Sequence, residues 1–137
     1  MYSINIWSIV TATIAAFAIG AVWYSPILFG KEWMSLIKMT DKDISSAKAK
    51  GMTKLYVAQL VLTFITFVVI AFALAVMNIY SAQDGAFIGL IAWIGFVLPS
   101  ALGGMLWENK SFKLVLITSI STLICWIVGG AIIGGWQ

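Results

Sequence analysis

The chain has 137 residues, of which 62% are hydrophobic and 9% are charged, and its formal net charge is +3. So little polar surface cannot cover a soluble domain, and the composition therefore excludes an ordinary globular protein. The sequence has no histidine and one cysteine, which excludes an all-protein zinc, haem or copper site. We expect no metal site and no cofactor.

Four long apolar segments predict transmembrane helices. They cover residues 4–24, 55–77, 86–106 and 114–135, and none contains a charged residue. Each comes close to the roughly 20 residues that a helix needs to cross about 30 Å of hydrocarbon. Continuous apolar runs lack the alternation of barrel strands, and an open sheet cannot satisfy its backbone in lipid. The sequence predicts an all-α, polytopic integral membrane protein, with one domain over residues 1–137.

The lysines predict the orientation of these helices. All eight basic residues are lysines, six between the first and second spans and two between the third and fourth. Short lysine-rich loops stay in the cytoplasm, so we expect both termini outside, the loop 26–54 inside, and a multi-pass location in the cytoplasmic membrane. This charge is a signal for topology and lipid headgroups, and it does not predict nucleic-acid binding.

The loop 26–54 carries patterns typical of two short helices. Pro26 ends the first span, and residues 30–39 place apolar side chains at helical spacing, which is typical of a helix in the membrane interface. Thr40 and Asp43 then form a capping-box pattern, and Gly51 is suited to the end of that second helix. We expect its lysines to face anionic lipid or a partner.

Polar and small residues within the spans recur at helical spacing. Ala12, Ala16 and Gly20 on the first span, and Gly130 and Gly134 on the fourth, allow close approach of another helix. The sequence does not say whether that neighbour belongs to the same chain, and we expect a homo-oligomer or a larger complex.

The stripes of polar residues within the spans have two interpretations. They are contacts between helices worth about 0.6 kcal/mol each, or the lining of a cytoplasm-facing cavity. The residues of that possible cavity are Gln59, Thr63, Thr66, Ser100, Thr118 and Thr122. We expect Trp93 and Trp126, which lie near mid-membrane by residue count, either to fill contacts between helices or to line a cavity.

Four segments of the chain resemble a known family. They are GAVWYSPILFGKEWM at 20–34, TDKDISSAKAKGM at 40–52, LWENKSFKLVLI at 106–117 and GGAIIGGW at 129–136. Together they resemble the prokaryotic membrane family catalogued as domain of unknown function 1761, which implies four transmembrane helices and no established activity. The family-like positions are Trp23, Tyr24, Ser25, Pro26, Phe29, Gly30, Trp33, Glu108 and Lys113. The fourth span departs from the family, because Thr118, Ser121 and Thr122 stand where relatives tend to carry Asn and an aromatic or histidine pair.

The ends of the first and third spans predict a docking cluster. These two helices run in the same direction, so their last residues share a depth, and we expect the two turns to meet at the cytoplasmic boundary. The cluster comprises Trp23, Tyr24, Ser25, Pro26, Phe29, Gly30, Trp33, Trp107, Glu108 and Lys113.

The residue inventory narrows the possible functions to two classes. A span without charge cannot carry the proton of a coupled antiporter. The chain also lacks arginine, histidine and a nucleophile paired with a base, so we expect no enzyme. What remains is a structural or accessory subunit that docks to itself or to a larger membrane complex, or a small-solute or ion channel or carrier.

The orientation is testable by cysteine labelling in a Cys125→Ala background. We expect Asp84→Cys to react with an impermeant thiol reagent added outside intact cells, and Ser46→Cys to react only after the membrane is opened. In intact cells, labelling at position 46 together with protection at position 84 would contradict the predicted topology and indicate the opposite orientation.

Overall fold

A computed structural model describes residues 3–137, and these residues form helices without strands. The helices are α1 (Ile6–Trp23), α2 (Gly30–Leu36), α3 (Asp41–Lys50), α4 (Thr53–Val76), α5 (Ala82–Ala92), α6 (Leu98–Trp107) and α7 (Phe112–Gly135). A π-helical segment, Trp93–Val97, joins α5 and α6, so that Ala82–Trp107 is one continuous span. Four helices are therefore long and apolar enough to cross a membrane, which confirms the predicted fold class at that level.

Side-chain caps explain why the third and fourth spans begin earlier than their apolar runs. Ser81 accepts a hydrogen bond from the Asp84 amide (3.0 Å), and Ser111 accepts one from the Leu114 amide (3.2 Å). A helix can begin where hydrogen-bond acceptors satisfy the free backbone N–H groups of its first turn, and the side chains there need not be apolar. The third and fourth spans therefore begin at Ala82 and Phe112, each before the first residue that hydropathy predicts.

Helix α7 lies at the centre of the bundle and packs most extensively against α5 and α1. Near the C-terminal end of α1, the Trp23 indole N–H donates to the Ile117 carbonyl (2.9 Å). At the other end, the Asn5 amide donates to the Trp136 carbonyl (3.3 Å). Early residues of α1 thus meet late residues of α7, and the two helices run antiparallel. The core around this contact comprises Ile9, Ala12, Ala16, Phe67, Ile70, Ala71, Leu74 and Ile133.

Glycines bring the backbones of α5 and α7 into direct contact. A Cβ atom on Gly85 would overlap the Gly130 carbonyl, and one on Gly89 would overlap the Trp126 carbonyl. A Cβ atom on Gly134 would likewise overlap the carbonyl of Ser81. The small residues predicted on the fourth span therefore pack against a helix of the same chain. That helix is α5, and it contributes a second pair of glycines four residues apart, Gly85 and Gly89.

Helix α4 covers the groove between α1 and α7 in the half of the bundle near the chain termini. Its Phe67 is 1% exposed, and a Cβ atom on Gly129 of α7 would overlap the Phe67 ring. Towards its start, α4 packs on α1 through an edge-to-face contact of Tyr56 with Phe17, with ring centroids 5.8 Å apart. Glycine on α7 thus makes room for the largest fully buried side chain of the bundle.

The π-helical segment ends two residues before Pro99. In it the Leu98 amide bonds to the Trp93 carbonyl, five residues back. A proline has no N–H, and in an α-helix its ring clashes with the carbonyl four residues earlier. A wider turn relieves that clash. The same turn holds Trp93, which is 8% exposed and donates its indole N–H to the Ser119 carbonyl (2.9 Å). Trp93 therefore fills a helix contact.

The glycine contact predicts a contrast between two substitutions. Gly85→Ala should lower the stability of the bundle by about 1 to 3 kcal/mol, the usual cost of overpacking, because its Cβ meets the α7 backbone. Gly103→Ala is the matched control, since an added Cβ there has nothing within 4 Å. Unfolding of each purified variant by sodium dodecyl sulfate in mixed micelles, followed by circular dichroism, measures the difference. Equal stability of the two variants would contradict the packing argument.

Candidate functional site

The sequence Trp23-Tyr24-Ser25-Pro26 folds into a tight turn after α1. The Ser25 hydroxyl donates to the Val22 carbonyl (2.7 Å), and the Gly30 amide donates to the Ser25 carbonyl (2.9 Å). A Cβ atom on Gly30 would overlap the Tyr24 carbonyl, so only glycine allows the chain to close here. The turn places the start of α2 directly against the end of α1.

The aromatic side chains of this turn pack on one another and on α7. The Trp23 ring lies 4.6 Å from the Phe29 ring, and the Tyr24 ring lies 5.3 Å from that of Trp33, centroid to centroid. The Tyr24 phenol faces the buried hydroxyl of Ser121 on α7. We call this arrangement of the turn, α2 and the first half of α7 the α1–α2–α7 junction.

An ion pair closes the junction on its aqueous side. The Lys113 ammonium lies 3.2 Å from the Glu32 carboxylate, and both side chains are about half exposed. An exposed pair of this kind is worth about 0 to 1 kcal/mol. The pair joins α2 to the first turn of α7, and its main effect is to orient α2 rather than to stabilise the fold.

The residues of the predicted docking cluster fall into two places. Those from Trp23 to Trp33, together with Lys113, meet at the α1–α2–α7 junction. Glu108 pairs instead with Lys110 (2.9 Å) within the turn between α6 and α7. Trp107, beside it, is 89% exposed. The junction side chains contact their own chain, so the aromatic residue of the cluster with the most free surface is Trp107.

Hydroxyl groups line a shallow groove between α6 and α7. The groove has a volume of about 400 Å³ and is lined by Phe96, Val97, Ser100, Ala101, Thr118, Ser119 and Thr122. Thr118 donates to the Leu114 carbonyl (3.0 Å) and Thr122 to the Thr118 carbonyl (3.1 Å). Their hydroxyl protons are thus used within α7. What the groove offers a solute is the acceptor lone pairs of the threonines and the Ser100 hydroxyl.

The other three residues of the predicted cavity lie apart from this groove. On α4, the Gln59 amide donates to the Thr63 hydroxyl (3.2 Å), and Thr63 donates to the Gln59 carbonyl (2.8 Å). Thr66 donates to the Leu62 carbonyl (3.2 Å). These groups donate within α4, so the structure brings together Ser100, Thr118 and Thr122 without their α4 counterparts.

Sequence reasoning missed the partners of two groups. It did not pair Gly85 and Gly89 with the glycines of α7, although their spacing of four residues was a usable signal. It also missed the main-chain carbonyls of Ile117 and Ser119 as acceptors for tryptophan. No sequence pattern marks those carbonyls, because the choice of acceptor depends on the register between helices.

The loop helix α3 carries the predicted cap. The Thr40 amide donates to the Asp43 carboxylate (2.9 Å), and the Asp43 amide donates to the Thr40 hydroxyl (3.2 Å), which confirms the capping box. The first of these bonds holds the pKa of the Asp43 carboxyl below its ordinary value. Gly51 ends the helix with φ of 90°, a conformation that favours glycine.

The junction geometry predicts different roles for two boundary tryptophans. Trp23→Phe removes the indole donor to Ile117 and should cost about 1 kcal/mol of stability, the usual net value of one hydrogen bond. Trp107→Phe should change stability little because its ring is exposed. Detergent unfolding of both variants measures the contrast, and a larger loss at Trp107 would show that the junction does not stabilise the bundle.

Comparison with known proteins gives one match. A family model described as "Protein of unknown function (DUF1761)" matches residues 7–134. No curated protein and no solved structure matches the chain. The matched region contains the WYSP turn, the loop 26–54 and nearly the whole of all four spans, and it confirms the resemblance drawn from those segments. The chain belongs to the DUF1761 family.

Proposed function

We propose that the protein is a non-catalytic structural or accessory subunit, which docks to a second copy of itself or to a larger membrane complex. The observation that carries this proposal is the uncovered face of α6. Helix α6 packs chiefly on α7 and the π-helical segment, while its last residues, Leu106 and Trp107, are 79% and 89% exposed. The cytoplasmic end of the third span therefore contributes little to its own bundle.

The shape of that face suits another helix. Lipid tails give helices no hydrophobic reason to associate, so association depends on close packing of small residues. Pro99, Gly103 and Trp107 recur every four residues and therefore share one stripe of α6. An added Cβ on Gly103 has nothing within 4 Å. The small residue allows a partner helix to approach closely. The exposed tryptophan beside it can act as the aromatic anchor of that contact.

The carboxylates at the cytoplasmic boundary support a non-catalytic role. Glu32 and Glu108 each pair with a lysine of the same chain. A general acid or base needs a reacting group within hydrogen-bond reach, and each of these carboxylates is instead engaged with a lysine side chain. We therefore place no catalytic residue among them.

One observation favours the alternative function, a small-solute or ion channel or carrier. Ser100, Thr118 and Thr122 converge on a groove beside the π-helical segment, and π turns occur frequently at functional sites. The groove carries no charge, however, and the half of the bundle beyond it is closed by apolar side chains such as Ile9, Leu74 and Ile133. Since a conducting path needs polar groups on both sides, we favour the accessory role.

Crosslinking from the uncovered face tests the proposal. In a Cys125→Ala background, Gly103→Cys carrying a photoreactive label should yield a discrete adduct in native membranes, either of twice the chain mass or with one identified protein. Val69→Cys is the matched control, since Val69 is 62% exposed on α4, away from α6. Trp107→Ala should weaken the assembly by about 2 kcal/mol or more if this tryptophan is an anchor. Adducts from both positions, or from neither, would contradict docking through α6.

A second measurement separates the two functions. We expect vesicles containing the purified protein to show no solute flux above protein-free vesicles, and Glu108→Gln to assemble like the unaltered protein. Flux that is lost in Thr118→Val with assembly intact would favour the channel or carrier. Loss of a flux or a turnover in Glu108→Gln, with assembly intact, would show that this carboxylate belongs to a working site.

A further inference from the structure

The loop between α1 and α4 carries a positive charge that the chain does not neutralise. Its six lysines are Lys31, Lys38, Lys42, Lys48, Lys50 and Lys54. Within residues 3–137 the salt bridges are those of Lys110 with Glu108 and of Lys113 with Glu32, so none of the six loop lysines is in one. Of the three loop acids, Glu32 is engaged with Lys113 and Asp43 caps α3. The counter-charge for this loop must come from outside the chain.

Charge is separated along α3. Asp41 and Asp43 lie in its first turn, and Lys48 and Lys50 lie in its last turn. A helix rises about 1.5 Å per residue, so the acids and the two lysines stand roughly 10 Å apart along the axis. The positive end of α3 is therefore free of nearby carboxylates of its own helix.

The positive end of α3 adjoins a membrane span. After Gly51, α4 begins at Thr53, and Lys54 lies in its first turn. Helix α4 is long and apolar enough to cross the bilayer, so its first turn lies at the level of the lipid headgroups. We call Lys48, Lys50 and Lys54 the lysine cluster, three ammonium groups within seven residues at the foot of this span.

Exposed aliphatic side chains indicate that the same loop lies against lipid. Ile27, Leu28 and Ile37 are 90%, 44% and 37% exposed, and they flank the short helix α2. The packing of Trp33 on Tyr24 holds this helix at the end of α1. Apolar side chains in this position are stable in the boundary between headgroups and acyl chains, where interfacial segments bury their apolar face.

We propose that the segment 27–54 is a binding surface for anionic phospholipids of the bilayer. The lysine cluster binds headgroup phosphates, and the three aliphatic side chains lie in the outermost acyl layer. Each lysine near an anionic membrane surface contributes about fivefold in affinity. A free phosphate compound would engage the lysines alone, whereas a lipid engages both parts of the surface. This inference is independent of the docking proposed for α6.

Lipid selectivity of the full chain tests this surface. The purified protein is reconstituted in phosphatidylcholine vesicles with trace spin-labelled phosphatidylglycerol or phosphatidylcholine, and electron paramagnetic resonance measures the motionally restricted fraction of each. Because one lipid phosphate meets one ammonium group at a time, we expect a preference for phosphatidylglycerol of about fivefold at low salt. The preference should fall towards one in about 1 M salt, where the screening length is about 3 Å.

Matched variants locate the preference. The triple variant Lys48→Gln, Lys50→Gln, Lys54→Gln should bring the preference close to one, and replacement of the same three residues by arginine should retain it. Lys42→Gln is the control, because Lys42 stands beside the acids at the other end of α3. Circular dichroism and detergent unfolding verify that each variant folds. An unchanged preference in the glutamine variant, or an equal loss in the Lys42 control, overturns the proposal.

Two further measurements exclude other ligands of the surface. At constant ionic strength, millimolar glycerol phosphate should leave the lipid preference unchanged, and its loss would mean that the lysines bind a free phosphate compound instead. Brominated acyl chains should quench the fluorescence of unaltered protein more than that of Ile27→Ser, Ile37→Ser. Equal quenching would overturn the acyl contact. Absence of lipid preference, together with an acidic protein crosslinked at Ser46→Cys in native membranes, would assign the lysines to a protein partner.

Discussion

The fold depends on the direct backbone contact between α5 and α7. Lipid provides no hydrophobic force between helices, so dispersion contacts must be made at short range, and only glycine permits them here. Gly85 and Gly89 meet the α7 backbone at Gly130 and Trp126. This contact fixes the register of the third span, and the register in turn places the Trp93 ring beside the Ser119 carbonyl. α7 thereby becomes the helix on which the others are arranged.

Main-chain carbonyls of α7 then satisfy polar groups from both sides. Trp23 donates to Ile117 and Trp93 to Ser119, and residues two apart lie on nearly opposite sides of a helix. Trp93 is buried and Trp23 is partly buried, and each indole N–H is paired, as burial of a polar group in an apolar medium requires. The surfaces that we propose for other molecules lie elsewhere, on α6 and on the loop.

The end of the bundle that carries the lysines separates two kinds of contact. Carboxylates and lysines near the ends of α6 and α7 pair within the chain, which orients α2 and closes the turn. Among the described residues, Lys48 and Lys50 of the loop have no such partner, because the acids of α3 occupy its other end. The ion pairs neutralise the junction, whereas the loop keeps an excess of positive charge. This arrangement suits the contact of the loop with anionic lipid that we propose. The face of α6 remains uncovered for the docking that we propose within the bilayer.

The sequence by itself determined the four spans, the all-helical class, the capping box at Thr40 and the family, because apolar length and local hydrogen bonds are properties of neighbouring residues. Only the tertiary structure decided which helices meet. It paired the α7 glycines with α5, separated Trp107 from the junction around Trp23, and split the predicted cavity between α4 and the α6–α7 groove. These outcomes depend on the rotation and register of each helix. In lipid, steric fit between residues far apart in the sequence selects the rotation and register of each helix. Hydropathy does not select them, because it is nearly the same on every face of a helix.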